Sequence, residues 1–324
     1  MTISINTIKI LKKTKNLLAF SYGSDSTALF YTLLSYNIDF DLALVNYKIR
    51  KQSDLEEKLA IKLAHKYKKQ IFTIVAPIFE NNFEKKARDF RYDFFTKLCD
   101  DFGYENVLLA HHFNDRFEWF LRQLGKGAGL VELLGMEEFE KRNNFTIIRP
   151  FINIFKNEII DFLNKNNYIF FNDESNKDEK YERNYIRSNF ATLFLQKFGK
   201  GVQRSFEYLK NDENKFIDKT IKEFNNILMC KKQESIIAKA VKRLDIVMSS
   251  KQRLECMKGD CIISGKIAIV FIKDKAIIFK YSYLNIPKHI RELYRKSKIP
   301  KFLRPFLYKN KINHIEFLEY LYSF

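Results

Sequence analysis

Leu17-Leu18-Ala19-Phe20-Ser21-Tyr22-Gly23-Ser24-Asp25-Ser26 decides how the rest of the chain reads. Leu17 to Phe20 is an apolar run of strand length. From Asp25 to Tyr36 apolar residues recur at helical spacing, Leu29 with Leu33 and Phe30 with Leu34. A strand that breaks into small hydroxyl residues and then opens a helix makes an anion cradle. Backbone N–H groups converge there, and the helix dipole adds about half a positive charge. Gly23 permits close backbone approach, and Ser21, Ser24 and Ser26 add hydroxyl donors. Asp25 would repel a bare phosphate, so its presence points to Mg²⁺ held between carboxylate and phosphates. An ordinary strand-to-helix turn capped by Ser24 accounts for the same six residues about equally well. The spacing is not that of a Walker loop, which needs GxxxxGK followed by Ser or Thr.

Upstream, residues 1–16 read as a short lead-in helix, polar enough for the surface. Downstream, strand and helix patterns alternate: Asp41 to Asn46 is a strand, and Ser53 opens a helix with Glu56 three residues on. Ile71 to Val75 is a strand, Phe83 to Phe102 a long helix, Asn106 to Ala110 a strand, and a helix starts near Asn114. This alternation predicts an α/β fold, a parallel sheet with helices on both faces. Such sheets bind ligands beyond the carboxyl ends of their strands. Ser21–Ser26, Asn46–Arg50 and His111–Glu118 all fall at those ends.

The strand exit Val45-Asn46-Tyr47-Lys48-Ile49-Arg50 is placed to meet an adenine through its backbone, though a solvated basic turn reads the same way. Arg88 and Arg91, three apart, share a helix face and suit a phosphate or a base carbonyl, or a surface salt bridge. In His111-His112-Phe113-Asn114-Asp115-Arg116-Phe117-Glu118, the residues His111, Asp115 and Glu118 fall on one helical face. HExxH spacing is absent, so an acidic cluster supporting Mg²⁺ fits better than a zinc site; histidines packed under a helix start are the alternative. Gly125, Gly127 and Gly129 around Lys126 lack dinucleotide-loop spacing and suggest a flexible basic loop. After Arg149-Pro150 and a helix around Asn153–Asn167, a polar loop at Asp173–Asp178 leads into a helix with Arg183 and Arg187 four apart.

The chain has 324 residues, a length that suits about two domains. Its apolar content is ample for packed cores, and no apolar run approaches a membrane span or a signal-peptide core. Cys99, Cys230, Cys256 and Cys261 form no CxxC pair, which disfavours metal clusters and disulfide scaffolds and fits a reducing, cytoplasmic setting. A net charge of +18 points to a polyanionic partner. A/T-rich codons would also raise Lys, Phe, Ile, Asn and Tyr together, so charge alone does not decide for nucleic acid.

Taken in order, the motifs resemble those of the N-type ATP pyrophosphatases, the PP-loop enzymes, and within them the tRNA(Ile)-lysidine synthases. That family shows SGGxDS, V-D/N-H-x-L-R, AR..RY, HHxDDQxET, RGxGxxGLxGM, RP(L)L and DxSNxDxxxxRNxxR. Here they read SYGSDS, VNYKIR, ARDFRY, HHFNDRFEW, LGKGAGLVELLGM, RPFI and DESNKDEKYERNYIR. The departures are Tyr22 for Gly, Tyr47 for His, Asn114 for Asp, Arg116 for Gln and Trp119 for Thr. A Cβ at Tyr22 is expected to limit how closely the backbone wraps a pyrophosphate.

The resemblance implies a five-stranded parallel, Rossmann-like sheet of the adenine nucleotide α hydrolase kind. It implies ATP and Mg²⁺ as cofactors, tRNA(Ile) with a CAU anticodon and L-lysine as substrates, and no membrane; a homodimer is one oligomeric arrangement it allows. By residue, Ser21, Tyr22, Gly23, Ser24, Asp25, Ser26, Val45 and Asn46 would hold the nucleotide. Asp25 and Asp115 would support the metal, and these two with Arg91 would be catalytic, Arg91 polarising the target base. Arg88, His111, Asn114, Glu118, Arg183, Asn184 and Arg187 would meet substrate.

The expected division is a catalytic domain over 1–200, a helical segment over 201–248 and a small α+β tRNA-binding domain over 249–324. In the last, Ile262–Val270 and Ala276–Tyr281 read as strands joined by a hairpin at Lys273-Asp274-Lys275. Lys298 to Tyr308 looks like the family's C-terminal signature, with Phe302 for Trp. Lys and Arg interleaved with Phe and Tyr suit RNA, with an aromatic core under solvated lysines as the default. A PP-loop thiolase, an amidating PP-loop enzyme and a non-catalytic tRNA-binding protein are the competing readings.

Overall fold

The computed structural model describes residues 1–48, 52–79, 81–142, 144–171 and 182–323. The chain divides into two compact units, one of 1–128 with 133–206 and the other of 129–132 with 207–324. Ile49, Arg50 and the Asp173–Asp178 loop lie outside the described residues.

The first unit opens with α1 (Ile5–Leu11), capped by Ser4, whose hydroxyl accepts from Thr7 N. It is less superficial than its polarity suggests, because Ile3, Thr7 and Leu11 are buried. There follow β1 (Asn16–Ala19), α2 (Ser24–Ser35), β2 (Asp41–Asn46), α3 (Ser53–Lys66), β3 (Ile71–Val75), α4 (Phe83–Phe102), β4 (Asn106–Leu108) and α5 (Phe113–Gly125). After the short α6 (Leu130–Leu133), whose first three residues belong to the second unit, come β5 (Phe139–Lys141), β6 (Thr146–Ile148), α7 (Lys156–Lys165) and α8 (Glu182–Ile186). A π-helical turn at Arg187–Ala191 then leads into α9 (Thr192–Phe216).

The sheet runs β3-β2-β1-β4-β6-β5. Its first five strands are parallel, with Leu17 opposite Asp41 on one side and Val107 on the other. The expected five parallel strands are therefore present, and β5 adds a sixth, antiparallel to β6 at the edge. Phe-Glu-Lys is too short and polar to announce itself as a strand; it is held by pairing, not by propensity.

Successive strand residues point to opposite faces. Leu18, Leu42 and Leu108 pack with α2, α3 and α7 residues such as Leu29, Ala60 and Ile159. Leu17, Ala43 and Val107 pack on the other face with Phe95, Leu98 and Cys99 of α4. The chain leaves β1 in one direction to β2 and β3 and returns to its other side at β4. The carboxyl ends of β1 and β4 thus flank the crevice where strand order reverses, the place where such sheets receive ligands.

The second unit holds the sheet β7-β8-β11-β10-β9, formed by Ile221–Phe224, Ile227–Lys231, Lys275–Lys280, Ile267–Ile272 and Cys261–Ile263 in that order. The predicted hairpin is present, with Ile272 opposite Lys275 and Lys273 at φ 55°. The expected helical segment 201–248 is corrected: it contributes β7 and β8 to this same sheet. Its turn is Asn225-Asn226, both at positive φ, the backbone of a tight hairpin that asparagine tolerates well. One face is covered by α10 (Glu234–Arg243) and α11 (Ser250–Cys256), the other by α12 (Lys288–Lys296), α13 (Leu303–Lys309) and α14 (His314–Tyr322). In the Lys298–Tyr308 stretch, Ile299, Leu303, Phe306 and Leu307 are buried, so much of its apolar content is core. No helix among the described residues is long and apolar enough to cross a membrane.

Candidate active site

The loop after β1 folds on its own hydroxyls. Ser21 N donates to Ser26 Oγ (3.2 Å), the two hydroxyls lie 3.1 Å apart, and Ser26 Oγ donates to Gly23 O (3.2 Å). Thr27 N makes the first intrahelical bond, to Gly23 O, so the amides of Ser24, Asp25 and Ser26 belong to the open first turn of α2. Tyr22 takes φ 59°, the left-handed region that glycine enters most cheaply. Its ring is buried, edge-on to Phe20 (5.3 Å) and Phe171 (5.4 Å). The Tyr22 side chain turns under the loop into the core. Burying the ring, worth about 2 kcal/mol, offsets a backbone cost of about 1–2 kcal/mol.

Asp25, in the first turn of α2, meets a cation from a distant element. Lys156 Nζ, from the start of α7, lies 2.5 Å from Asp25 Oδ1 and 2.7 Å from Ser24 Oγ. Asn114 Oδ1 accepts from Lys156 N (3.0 Å), so Asn114 caps the start of α7, the helix that carries this lysine.

The start of α5 joins the cluster. His112 Nδ1 accepts from Asp115 N (3.3 Å) and Asp115 Oδ2 accepts from His112 N (2.9 Å), a reciprocal cap. His112 Nε2 stands 3.7 Å from Asp25 Oδ2. Asp115 Oδ1 is taken by Arg183 Nη2. Glu118 accepts Arg183 Nε at 2.8 Å and Arg187 Nε at 2.7 Å.

Burial opposes ionisation of Asp115, but His112 and Arg183 outweigh it and hold the carboxyl well below its ordinary range. The same carboxylates hold the Arg183 guanidinium up against burial. Each Asp115 oxygen carries a partner, His112 N on Oδ2 and Arg183 on Oδ1, while Asp25 Oδ1 carries Lys156 at the open helix N-terminus. Among the described residues no three His, Cys, Asp or Glu side chains are grouped to hold a metal ion.

Arg91 makes no hydrogen bond or ion pair with the described residues, and its Nε is buried without a partner. Its charge acts on Tyr47 and His111. His111 Nδ1 accepts from Arg149 Nε (3.2 Å), and Arg149, itself buried, also donates to Glu140 Oε2 (2.6 Å). Burial above all lowers the His111 pKa to about 3; Asp115 opposes, while Arg149, Arg183 and Arg91 add to the fall.

The remaining expected residues stand apart. Arg88 is exposed and lies over Tyr92 (4.9 Å). Asn46 is buried and spends its amide on Asp54 (3.0 Å), Glu57 (2.7 Å) and Lys48 N (2.9 Å), which shapes the strand exit after Val45. Asn184 is half-buried, one residue along from Arg183. Reading the sequence missed Lys156, His112 and Arg149; the available signal was a lysine opening the helix that follows Arg149-Pro150.

The PP-loop domain family matches residues 2–193. The tRNA(Ile)-lysidine synthase of Campylobacter jejuni is 53% identical over 97% of this chain and 98% of its own length. The chain belongs to the tRNA(Ile)-lysidine synthase family. The Helicobacter pylori (strain ATCC 700392 / 26695) tRNA(Ile)-lysidine synthase is 39% identical over 92% of this chain and 90% of its own. Among solved structures, the U34-tRNA thiolase NcsA of Methanococcus maripaludis superposes with TM-score 0.53 at 15% identity, covering 76% of this chain and 89% of its own, a likeness of fold.

Proposed function

We propose that this chain ligates lysine to C2 of the wobble cytidine of the isoleucine tRNA with a CAU anticodon, in the cytoplasm, consuming ATP. The carrying observation is the crevice between β1 and β4, where an open helix N-terminus meets the Asp25–Lys156 pair, while the charge of Arg91, whose Nε has no partner among the described residues, reaches His111 at the exit of β4. In this reading the cytidine O2 attacks the α phosphorus of ATP, the bond to the β phosphate oxygen breaks and pyrophosphate leaves. The lysine amine then attacks C2, the C2–O bond breaks, and AMP departs as the amine loses a proton.

The amides and hydroxyls of Ser21–Ser26 hold phosphate oxygens, and Lys156 supplies positive charge beside them. Mg²⁺ would be held on Asp25, neutralising phosphate charge. Arg91 donates to the base carbonyl being activated. His112, Asp115, Glu118, Arg183 and Arg187 brace one another, which fixes the floor of the crevice; catalysis here is mostly positioning. Unstacking the target base costs a few kcal/mol, least in a single-stranded loop. The second unit adds tRNA contacts. Among the described residues nothing favours thiolation: Cys99, Cys230 and Cys256 are buried, and burial pushes the Cys99 and Cys230 thiols up to about 12.

The test is transfer of labelled lysine to total tRNA, with the modified nucleotide mapped. Label at the wobble cytidine, with lysine-dependent release of AMP, is expected; tRNA binding without transfer would leave a non-catalytic RNA-binding protein. Log affinity for tRNA should fall linearly with log salt, by about 0.7–0.9 per phosphate neutralised.

A further inference from the structure

From Arg183 to Phe206 the sequence contains five arginines and lysines and no aspartate or glutamate. This segment runs from α8 through the π-helical turn into α9, all within the first unit. Leu195 and Phe206 are buried, but four large apolar side chains stay partly open: Phe190 is 52% exposed, Leu193 61%, Phe194, whose ring lies 5.7 Å from that of Phe117, 47%, and Phe198 49%. Phe190, Phe194 and Phe198 are four residues apart and so lie along one helix face. Phe194 and Phe198 have ring centroids 5.0 Å apart, and Tyr185, also exposed, lies 5.8 Å from Phe190. Lys197, Lys200 and Arg204 are exposed along the same stretch, with Lys197 Nζ 5.5 Å from the Phe198 ring.

A row of open rings costs solubility unless something covers it. We infer that the face of Phe190, Phe194 and Phe198 is a stacking platform for unpaired bases of the substrate RNA, with Lys197, Lys200 and Arg204 meeting its phosphates. The inference rests on the tRNA reading above and adds where the single-stranded loop lies.

Two features favour RNA over other occupants. First, a second copy of the chain would bring this face against itself, setting basic residues opposite basic residues with no acid in the segment to compensate. Second, the segment begins at the crevice: Arg183 and Arg187, one turn before Phe190, are the arginines clamped on Asp115 and Glu118. The π-helical turn at 187–191 carries both Arg187, which reaches inward to Glu118, and the exposed Phe190. Its wider turn rotates the following residues about the axis, the kind of local irregularity found at functional positions. Aromatic stacking suits any base, while the positive side chains track the backbone.

The experiment compares Phe190→Ala, Phe194→Ala, Phe198→Ala and the triple variant with the full-length wild type, using Phe190→Tyr and Phe198→Tyr as conservative controls. Unfolding midpoints show that each variant is folded. Each alanine should weaken tRNA binding about tenfold with the salt slope unchanged, because stacking is not ionic, and the tyrosine variants should bind as wild type. Lys197→Ala and Lys200→Ala should each lower the slope by about one. ATP affinity should not move in any of them.

The inference is overturned if the folded triple variant binds tRNA like the wild type. It is equally overturned if the variants change sedimentation instead of RNA affinity, since the face then joins two copies, or if the wild type captures anionic phospholipid vesicles through these rings. Lysine transfer by the wild type is scored separately. Transfer with an unaltered KM for tRNA in the triple variant defeats the platform and leaves the enzymatic reading standing. Loss of RNA binding in the variants of a wild type that transfers no lysine supports the platform and defeats the enzymatic reading.

Discussion

Lys156 Nζ stands 2.5 Å from Asp25 Oδ1, and 131 residues of chain separate the two. The pair places a positive charge and a negative one at the mouth of the same helix N-terminus. An incoming triphosphate then meets a lysine that changes partner, and a carboxylate freed to share a metal ion. Lys156→Ala should cut ATP-dependent pyrophosphate release by about 10²–10³-fold, the scale for losing one donor at a developing charge. Asp25→Ala should abolish release. Both should keep tRNA affinity within a few-fold. Normal release by Asp25→Ala would sink the assignment of the loop.

Glu118 is 1% exposed and is shared by two guanidinium groups. Glu118→Ala leaves both without that partner. The arginines keep some contact with water, so the loss should be roughly 2–3 kcal/mol, below the about 3–5 of a fully enclosed pair. Chemical denaturation measures it, and a change under 1 kcal/mol would mean the clamp is ornamental.

Tyr22→Gly separates backbone strain from ring burial. It relieves about 1 kcal/mol of left-handed strain, adds unfolded-state freedom and forfeits about 2 kcal/mol of burial, so stability should fall modestly. ATP affinity should stay within about threefold. A large gain in ATP affinity would show that the tyrosine does restrict the cradle.

His111 supplies a pH signature. Its pKa falls from 6.5 to about 3 on folding, so the folded state binds fewer protons than the unfolded state between those values. The stabilisation is complete above about pH 6.5 and drains away as pH falls toward 3, by up to about 1.4 kcal/mol per unit. The paired carboxylates begin to contribute only nearer their own unfolded pKa values, about 4. Between pH 6.5 and 5 the wild type should therefore lose stability while His111→Asn stays flatter. Equal slopes for the two proteins would contradict the assignment.

The alternation of apolar strands with helical spacing, the serine and glycine loop, and Arg183 with Arg187 four apart were all legible in the order of residues. These features are local: periods of two and 3.6, and the small side chains that a turn requires, depend on neighbours a few positions away. The Lys273-Asp274 hairpin was legible for the same reason. Hidden were the partners that long-range packing supplies. Nothing near Lys156 says that it reaches Asp25, nothing in His112 says that it caps α5, and nothing in Asp115 says that it meets Arg183. Nothing in Tyr22 says that its ring lies edge-on to Phe20 and Phe171. A side chain's chemistry is in its identity, but its partner, its burial and hence its charge are set by what the fold brings within a few ångströms.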